Sequence, residues 1–137
     1  MTISYNRLGS NGRLGNQMFQ YASLRGIANY NQYQWMIPPP DCNHRDNYGL
    51  FDTFEMKHCK PENLGFNDGM TITEKTHAFD DSMFYCTDGV NIDSYLQTED
   101  YFVHIADQIR EDFTFKKDYL EPCQEFISSL GSSPIFI

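Results

Sequence analysis

The sequence predicts an α/β fold built on a parallel sheet, and three observations carry that expectation. A short apolar stretch at residues 2–8 precedes a glycine-rich turn, a long helical stretch follows, and a second apolar stretch closes at three prolines. Strand, glycine turn, helix and strand make a βαβ unit, for which parallel pairing is the default. A later segment, residues 98–113, has clear helical periodicity, so strand and helix signals alternate along the chain.

The first strand is expected within residues 2–8, with Ile3, Tyr5 and Leu8 as apolar positions. The glycines Gly9, Gly12 and Gly15 then free the backbone before a helix expected over residues 16–29. Asn16 stands where an N-cap belongs. Met18, Phe19, Tyr21, Ala22, Leu24, Ile27 and Ala28 cover a wide arc of this helix, so most of its circumference should be buried. Arg25 and the glutamines supply its wet side. Residues 33–37 form the next strand, closed by Pro38, Pro39 and Pro40, which cannot continue a ladder.

From residue 41 to about 69 the periodicity fails, and the chain reads as a loop-rich excursion pinned by Leu50, Phe51, Phe54 and Met56. Residues 70–73, 83–86 and 90–96 are strand candidates, with Asp88-Gly89 as a turn. Thr98 caps the following helix, with Glu99 and Asp100 in its first turn, where the dipole favours acids. Phe102, Ile105, Ala106, Ile109 and Phe113 make one core-facing stripe, leaving Asp107, Gln108, Glu111 and Asp112 wet. A last helix is expected from about residue 120, with Pro122 in its first turn and Leu120, Cys123, Ile127 and Leu130 facing inward. Gly131 stops it. Residues 135–137 begin an apolar strand inside which the sequence stops, which reads as truncation.

Composition narrows the function classes. The chain has 137 residues, enough for one domain with its own core, and its 40% apolar and 15% aromatic content argues against intrinsic disorder. Ten basic against 19 acidic residues give a net charge of −9, a poor match for nucleic acid or an anionic membrane. There is no apolar run near the roughly 18 residues a membrane-spanning helix needs, and no signal peptide is visible. A cytoplasmic, intracellular protein is expected. Cys42, Cys59, Cys86 and Cys123 form no CxxC pair, so free thiols are the default. Cys42 and His44 with His58 and Cys59 could supply four zinc ligands, but structural zinc sites show tighter spacing, and no metal is expected.

The stretch of most chemical interest is Gly-Arg-Leu-Gly-Asn-Gln-Met-Phe-Gln-Tyr-Ala, residues 12–22. Its glycine spacing fits neither the dinucleotide fingerprint nor the Walker loop. Amides at such a helix start suit an anion such as a phosphate, and a plain strand-to-helix turn with nothing bound is the competing reading.

These residues resemble the amino-terminal signature of the family 11 glycosyltransferases, the alpha-1,2-fucosyltransferases, close to Gly-Gly-Leu-Gly-Asn-Gln-Met-Phe-Gln-Tyr-Ala. Residues 95–102, Tyr-Leu-Gln-Thr-Glu-Asp-Tyr-Phe, are similar to the family's Tyr-Phe-Gln-Ser/Thr-Glu-x-Tyr-Phe segment, and Leu50-Phe51-Asp52 is a weaker echo. The resemblance spans most of this chain but only the amino-terminal part of the family's longer proteins. It implies a truncated Rossmann-like amino-terminal domain, residues 1–137, of a GT-B-type glycosyltransferase whose carboxy-terminal donor-binding part is missing here, with GDP-fucose as donor and a galactoside as acceptor. Transfer would be inverting and would need no cofactor or metal. Peripheral membrane association stays open for the full-length family.

The family's His-x-Arg-Arg-Gly-Asp motif belongs just after a strand like residues 134–137. Its arginine is expected to neutralise the diphosphate leaving group. Turnover by the chain as given is therefore not expected. By the resemblance, Gly12, Gly15, Asn16 and Gln17 line the cleft near donor and acceptor, with Gln97 and Tyr101 as further candidates. Arg13 replaces the usual glycine, as in the Gly-Arg-Phe-Gly-Asn-Gln context of protein O-fucosyltransferases, and either contacts the donor or is a solvated loop residue. No acid is singled out as a general base. Two other readings remain: an inactive nucleotide- or glycan-binding module, and an interaction protein pairing through an open strand edge.

Overall fold

Four short parallel strands form one sheet in the order β2-β1-β4-β3, with helices packed against it. The computed structural model describes residues 1–42 and 47–131. The strand expected at residues 135–137 lies outside the described residues, as does His44.

Strand β1 (Thr2–Ser4), helix α1 (Leu14–Asn31) and strand β2 (Gln34–Met36) make the expected βαβ unit. Ile3 stands opposite Trp35 in the parallel β1–β2 register. The short helix α2 (Leu50–Thr53), missing from the sequence reading, lies within the loop-rich excursion. The apolar knot does pin that excursion: Leu50, Phe54 and Met56 are buried and Phe51 packs against them. Strands β3 (Thr71–Ile72) and β4 (Asn91–Ile92) complete the sheet, shorter than expected because only two register pairs join them.

Helix α1 is the centre of the domain. Ten of its residues are buried, and Tyr21, Leu24 and Ile27 are fully so, together with Ile3, Tyr5 and Leu8 of the first strand and turn. Full burial of each such aliphatic side chain contributes about 1.5–3 kcal/mol. The expected wet side does not exist. Gln17 and Gln20 are wholly inside, and Arg25 is only 6% exposed. Partners from outside the helix meet Arg25, Gln17 and the Gln20 amide, which no helical periodicity can reveal, while Gln20 Oε1 is buried with no partner among the described residues. Arg25 forms an ion pair with Asp112, donates to Gln108 Oε1 at 2.7 Å, and lies over the Trp35 ring. Asp112, expected to be wet, is fully buried, and also accepts from the Tyr21 hydroxyl and the His58 amide, both at 2.6 Å.

Residues 83–86 are not a strand. The Asp80 carboxylate accepts from the Ser82 amide and hydroxyl and starts a 3-10 turn at Asp81–Tyr85 instead. The helix expected from Thr98 is likewise broken. Thr98 does cap, accepting from the Asp100 amide, but the turn it caps is the 3-10 segment Glu99–Tyr101. A second 3-10 turn, Val103–Ile105, follows before helix α3 (Ala106–Asp112) begins. The reason is close packing on α1. A side chain at Gly26 would meet the Tyr101 carbonyl oxygen at 1.9 Å, so the segment rests against bare backbone and bends there. Ile105 and Ile109 of the expected stripe are buried, with Phe102 and Phe113 packed on them.

Helix α4 (Lys117–Ser129) starts earlier than expected, which places Pro122 in its interior rather than its first turn. Its expected inward face is also absent. No residue of α4 is buried, and Phe126, Ile127 and Leu130 are 65%, 57% and 44% exposed. Among the described residues, no element packs against them.

Candidate functional site

The carboxyl ends of β1, β4 and β3 point the same way because the sheet is parallel, and open parallel sheets take ligands at that edge. A cleft of about 580 Å³ opens there. Arg7 and Asn11 follow β1, Glu74 to His77 follow β3, and Asp93, Ser94, Tyr95 and Gln97 follow β4.

Its floor is a closed hydrogen-bond network. Arg7 pairs with Asp93 at 2.9 Å, a contact that raises the arginine's pKa, and Asn11 donates to the same carboxylate at 3.2 Å. The Tyr5 hydroxyl donates to the Ser94 carbonyl at 2.5 Å and accepts from the Ser94 amide at 3.2 Å. Burial holds that phenol well above its ordinary pKa, so it stays a donor. Glu74 accepts from Ser94 Oγ at 2.7 Å, the Leu96 amide at 3.0 Å and the Tyr101 hydroxyl at 2.6 Å. Tyr101 in turn accepts from the Asp80 amide at 2.9 Å. Its pKa is raised chiefly by burial, and further by the Glu74 carboxylate it donates to.

The glycine-turn residues reach this cleft from its side. Arg13, not Asn16, holds the N-cap position of α1, in extended conformation and with no side-chain bond to the helix. Asn16 is one turn further in, and its Oδ1 accepts from Gln97 Nε2 at 2.7 Å. Two segments 81 positions apart in the sequence thus meet through their side chains at the cleft edge. Gly12 makes room for the arrangement: its φ is +111°, and a Cβ there would fall 2.5 Å from Asn16 Nδ2.

The other candidates are distributed differently. Gln17 is fully buried; it donates to the Gly12 carbonyl at 3.1 Å and the Asn47 carbonyl at 2.6 Å, and accepts from the Gly49 amide at 3.0 Å. It shapes the turn from beneath. Tyr101 is fully buried as well, and acts on the cleft only through Glu74. Arg13 and Gly15 are exposed. Gly15 borders a second, wholly apolar groove of about 310 Å³ with Met18, Phe19, Ala22, Phe102, Ile109 and Phe113.

Sequence reasoning missed Arg7, Glu74, Asp93 and the conformation of Leu96. Leu96 is a fully buried non-glycine residue with φ +53°, a backbone state that leucine adopts only under constraint. None of these has a local signal: each matters through a partner at least 20 positions away. Among the described residues, no group of three His, Cys, Asp or Glu side chains is placed to hold a metal ion. His58 instead lies 3.0 Å from Glu111.

The fold and cleft define a small α/β domain with a four-stranded parallel sheet, generically Rossmann-like. Comparison with protein-family models, with curated proteins and with solved structures gave no match. No helix among the described residues is long and apolar enough to cross a membrane.

Proposed function

We propose that this chain is the amino-terminal Rossmann-like domain of a GT-B-type glycosyltransferase that moves fucose from GDP-fucose to a galactoside, with inversion and in α-1,2 linkage. The observation that carries this reading is the Asn16–Gln97 hydrogen bond. It joins the two segments that resemble the fucosyltransferase signatures, and it does so beside a cleft at the carboxyl edge of a parallel sheet. A donor diphosphate suits the exposed turn at Gly12, Arg13 and Gly15, where amides at the start of α1 and the Arg13 guanidinium can face an anion. The polar walls of the cleft suit the hydroxyl groups of a sugar.

Calorimetric titration with GDP, GDP-fucose and lactose tests the reading. Saturable heat with GDP-fucose, weakened about tenfold or more by Asn16→Ala, is the expected outcome. No heat with any of the three at millimolar concentration would sink it. Saturable binding of GDP with no preference for the fucosylated nucleotide would favour a nucleotide-binding module instead.

A further inference from the structure

We propose that Glu74 is a positioning residue of this site: its carboxylate holds the turn at Leu96 that presents Gln97 to Asn16. The geometry is specific. Leu96 has φ +53°, yet its side chain is fully buried, so the backbone there is fixed from outside the turn. Its amide donates to Glu74 Oε1 at 3.0 Å. Its carbonyl accepts from Ser23 Oγ at 3.2 Å and from the Thr98 amide at 3.0 Å. Between these anchors, the left-handed residue turns the chain so that the next side chain, Gln97, reaches Asn16 at 2.7 Å.

Glu74 ties this turn to the end of β3. The same Oε1 takes the Ser94 hydroxyl, so the carboxylate grips the chain on both sides of Tyr95. Its other oxygen takes the Tyr101 hydroxyl. Loss of the carboxylate would leave the Leu96 amide without its acceptor and free the residue to relax to an ordinary negative φ. Gln97 would then swing away from Asn16. The consequence for ligand affinity rests on the fucosyltransferase reading; the consequence for Gln97 does not.

Two readouts separate these. In the first, the Gln97 side-chain amide is followed by nitrogen–proton NMR, its resonance assigned by its loss in Gln97→Ala. Glu74→Ala should move that resonance to the position of a solvated glutamine, whereas Tyr101→Phe, which removes the contact on the far oxygen and the acceptor of the Asp80 amide but leaves both contacts on Oε1, should leave it in place. Glu74→Gln, which keeps an oxygen for Ser94 and Leu96, should restore it. Should Glu74→Ala not fold, Glu74→Asp, one methylene shorter, is expected to move the resonance in the same direction. An unmoved Gln97 amide in a folded Glu74→Ala or Glu74→Asp protein would overturn the proposal.

The second readout is the calorimetric affinity for GDP-fucose. Glu74→Ala and Gln97→Ala should each weaken it about tenfold, and the double variant should bind no more weakly than Gln97→Ala alone. A further tenfold loss in the double variant would show that Glu74 acts independently of Gln97, and would also overturn the proposal. If the unaltered protein binds none of GDP, GDP-fucose and lactose, the functional reading fails, while the NMR arm still decides the role of Glu74.

Discussion

Helices α1 and α4 depart in opposite ways from what their sequences suggest: α1 takes its expected wet residues inside, and α4 leaves its expected inward stripe outside. Helix α1 carries Gln17, Gln20, Ser23 and Arg25, and all four are buried. Helix α4 carries an apolar stripe and buries none of it. The difference is one of partners rather than composition. Most polar groups of these four meet a group from another segment: Asn11 and Asn47 carbonyls for the glutamine amides, the Leu96 carbonyl for Ser23, and Asp112 for Arg25, whereas Gln20 Oε1 is buried with no hydrogen-bond partner among the described residues. A buried polar group costs little when its bonds are replaced and much when they are not. For α4 the comparison runs the other way, since an apolar stripe gains nothing until a surface covers it.

The comparison can be broken hardest at Asp112. Asp112→Ala leaves Arg25 charged and buried, and strips acceptors from Tyr21 and His58, so unfolding free energy should drop by about 3–5 kcal/mol in urea titrations. An effect below about 1 kcal/mol would mean that the pair is more open to water than its burial indicates. Gln17→Ala, which orphans the groups that knit the glycine turn to residues 47–49, should cost about 2 kcal/mol by the same measurement.

The cysteines sharpen the contrast. Cys59, beside the buried pair, is pushed up to about 12, first by burial and then by the Asp112 charge. A thiol needs its thiolate form to react, so Cys59 should be modified far more slowly by a disulfide reagent at pH 8 than Cys123 on exposed α4. Equal rates would contradict the burial. The linkage sign follows. The folded protein holds the Cys59 proton more tightly than the unfolded chain, so this contribution is complete below about pH 8.5. It is lost as pH rises toward about 12, and Cys59→Ser should flatten the decline in alkaline stability. The smallest expected effect is on α4 itself. Ile127→Ser should change unfolding free energy by less than about 0.5 kcal/mol, and a larger loss would reveal a surface packed against the stripe.

Much of the fold was legible in the residues. The βαβ unit, the glycine turn, the capping by Thr98 and the apolar knot at Leu50, Phe54 and Met56 are all present, because the signals for each, in apolar spacing, glycine and proline placement and a capping residue, lie within a few positions of one another. The strand expected at 83–86 failed to form because Asp80 offers Ser82 a local bond that a ladder cannot match. The candidate site was legible in half. Asn16 and Gln97 were both singled out, yet nothing in either segment says that they touch. Glu74 is one of 19 acids, and only its three partners distinguish it.

By itself, then, the sequence determined a parallel α/β fold, through hydrophobic spacing, glycine and proline placement, and capping, all of which act over a few residues. The tertiary structure decided which polar groups go inside, where helices bend against bare backbone at Gly26, and how Asn16, Gln97 and Glu74 come to share one cleft edge. Those outcomes depend on hydrogen bonds and charges satisfied across 20 to more than 80 positions, and burial is favourable only once the distant partner has arrived.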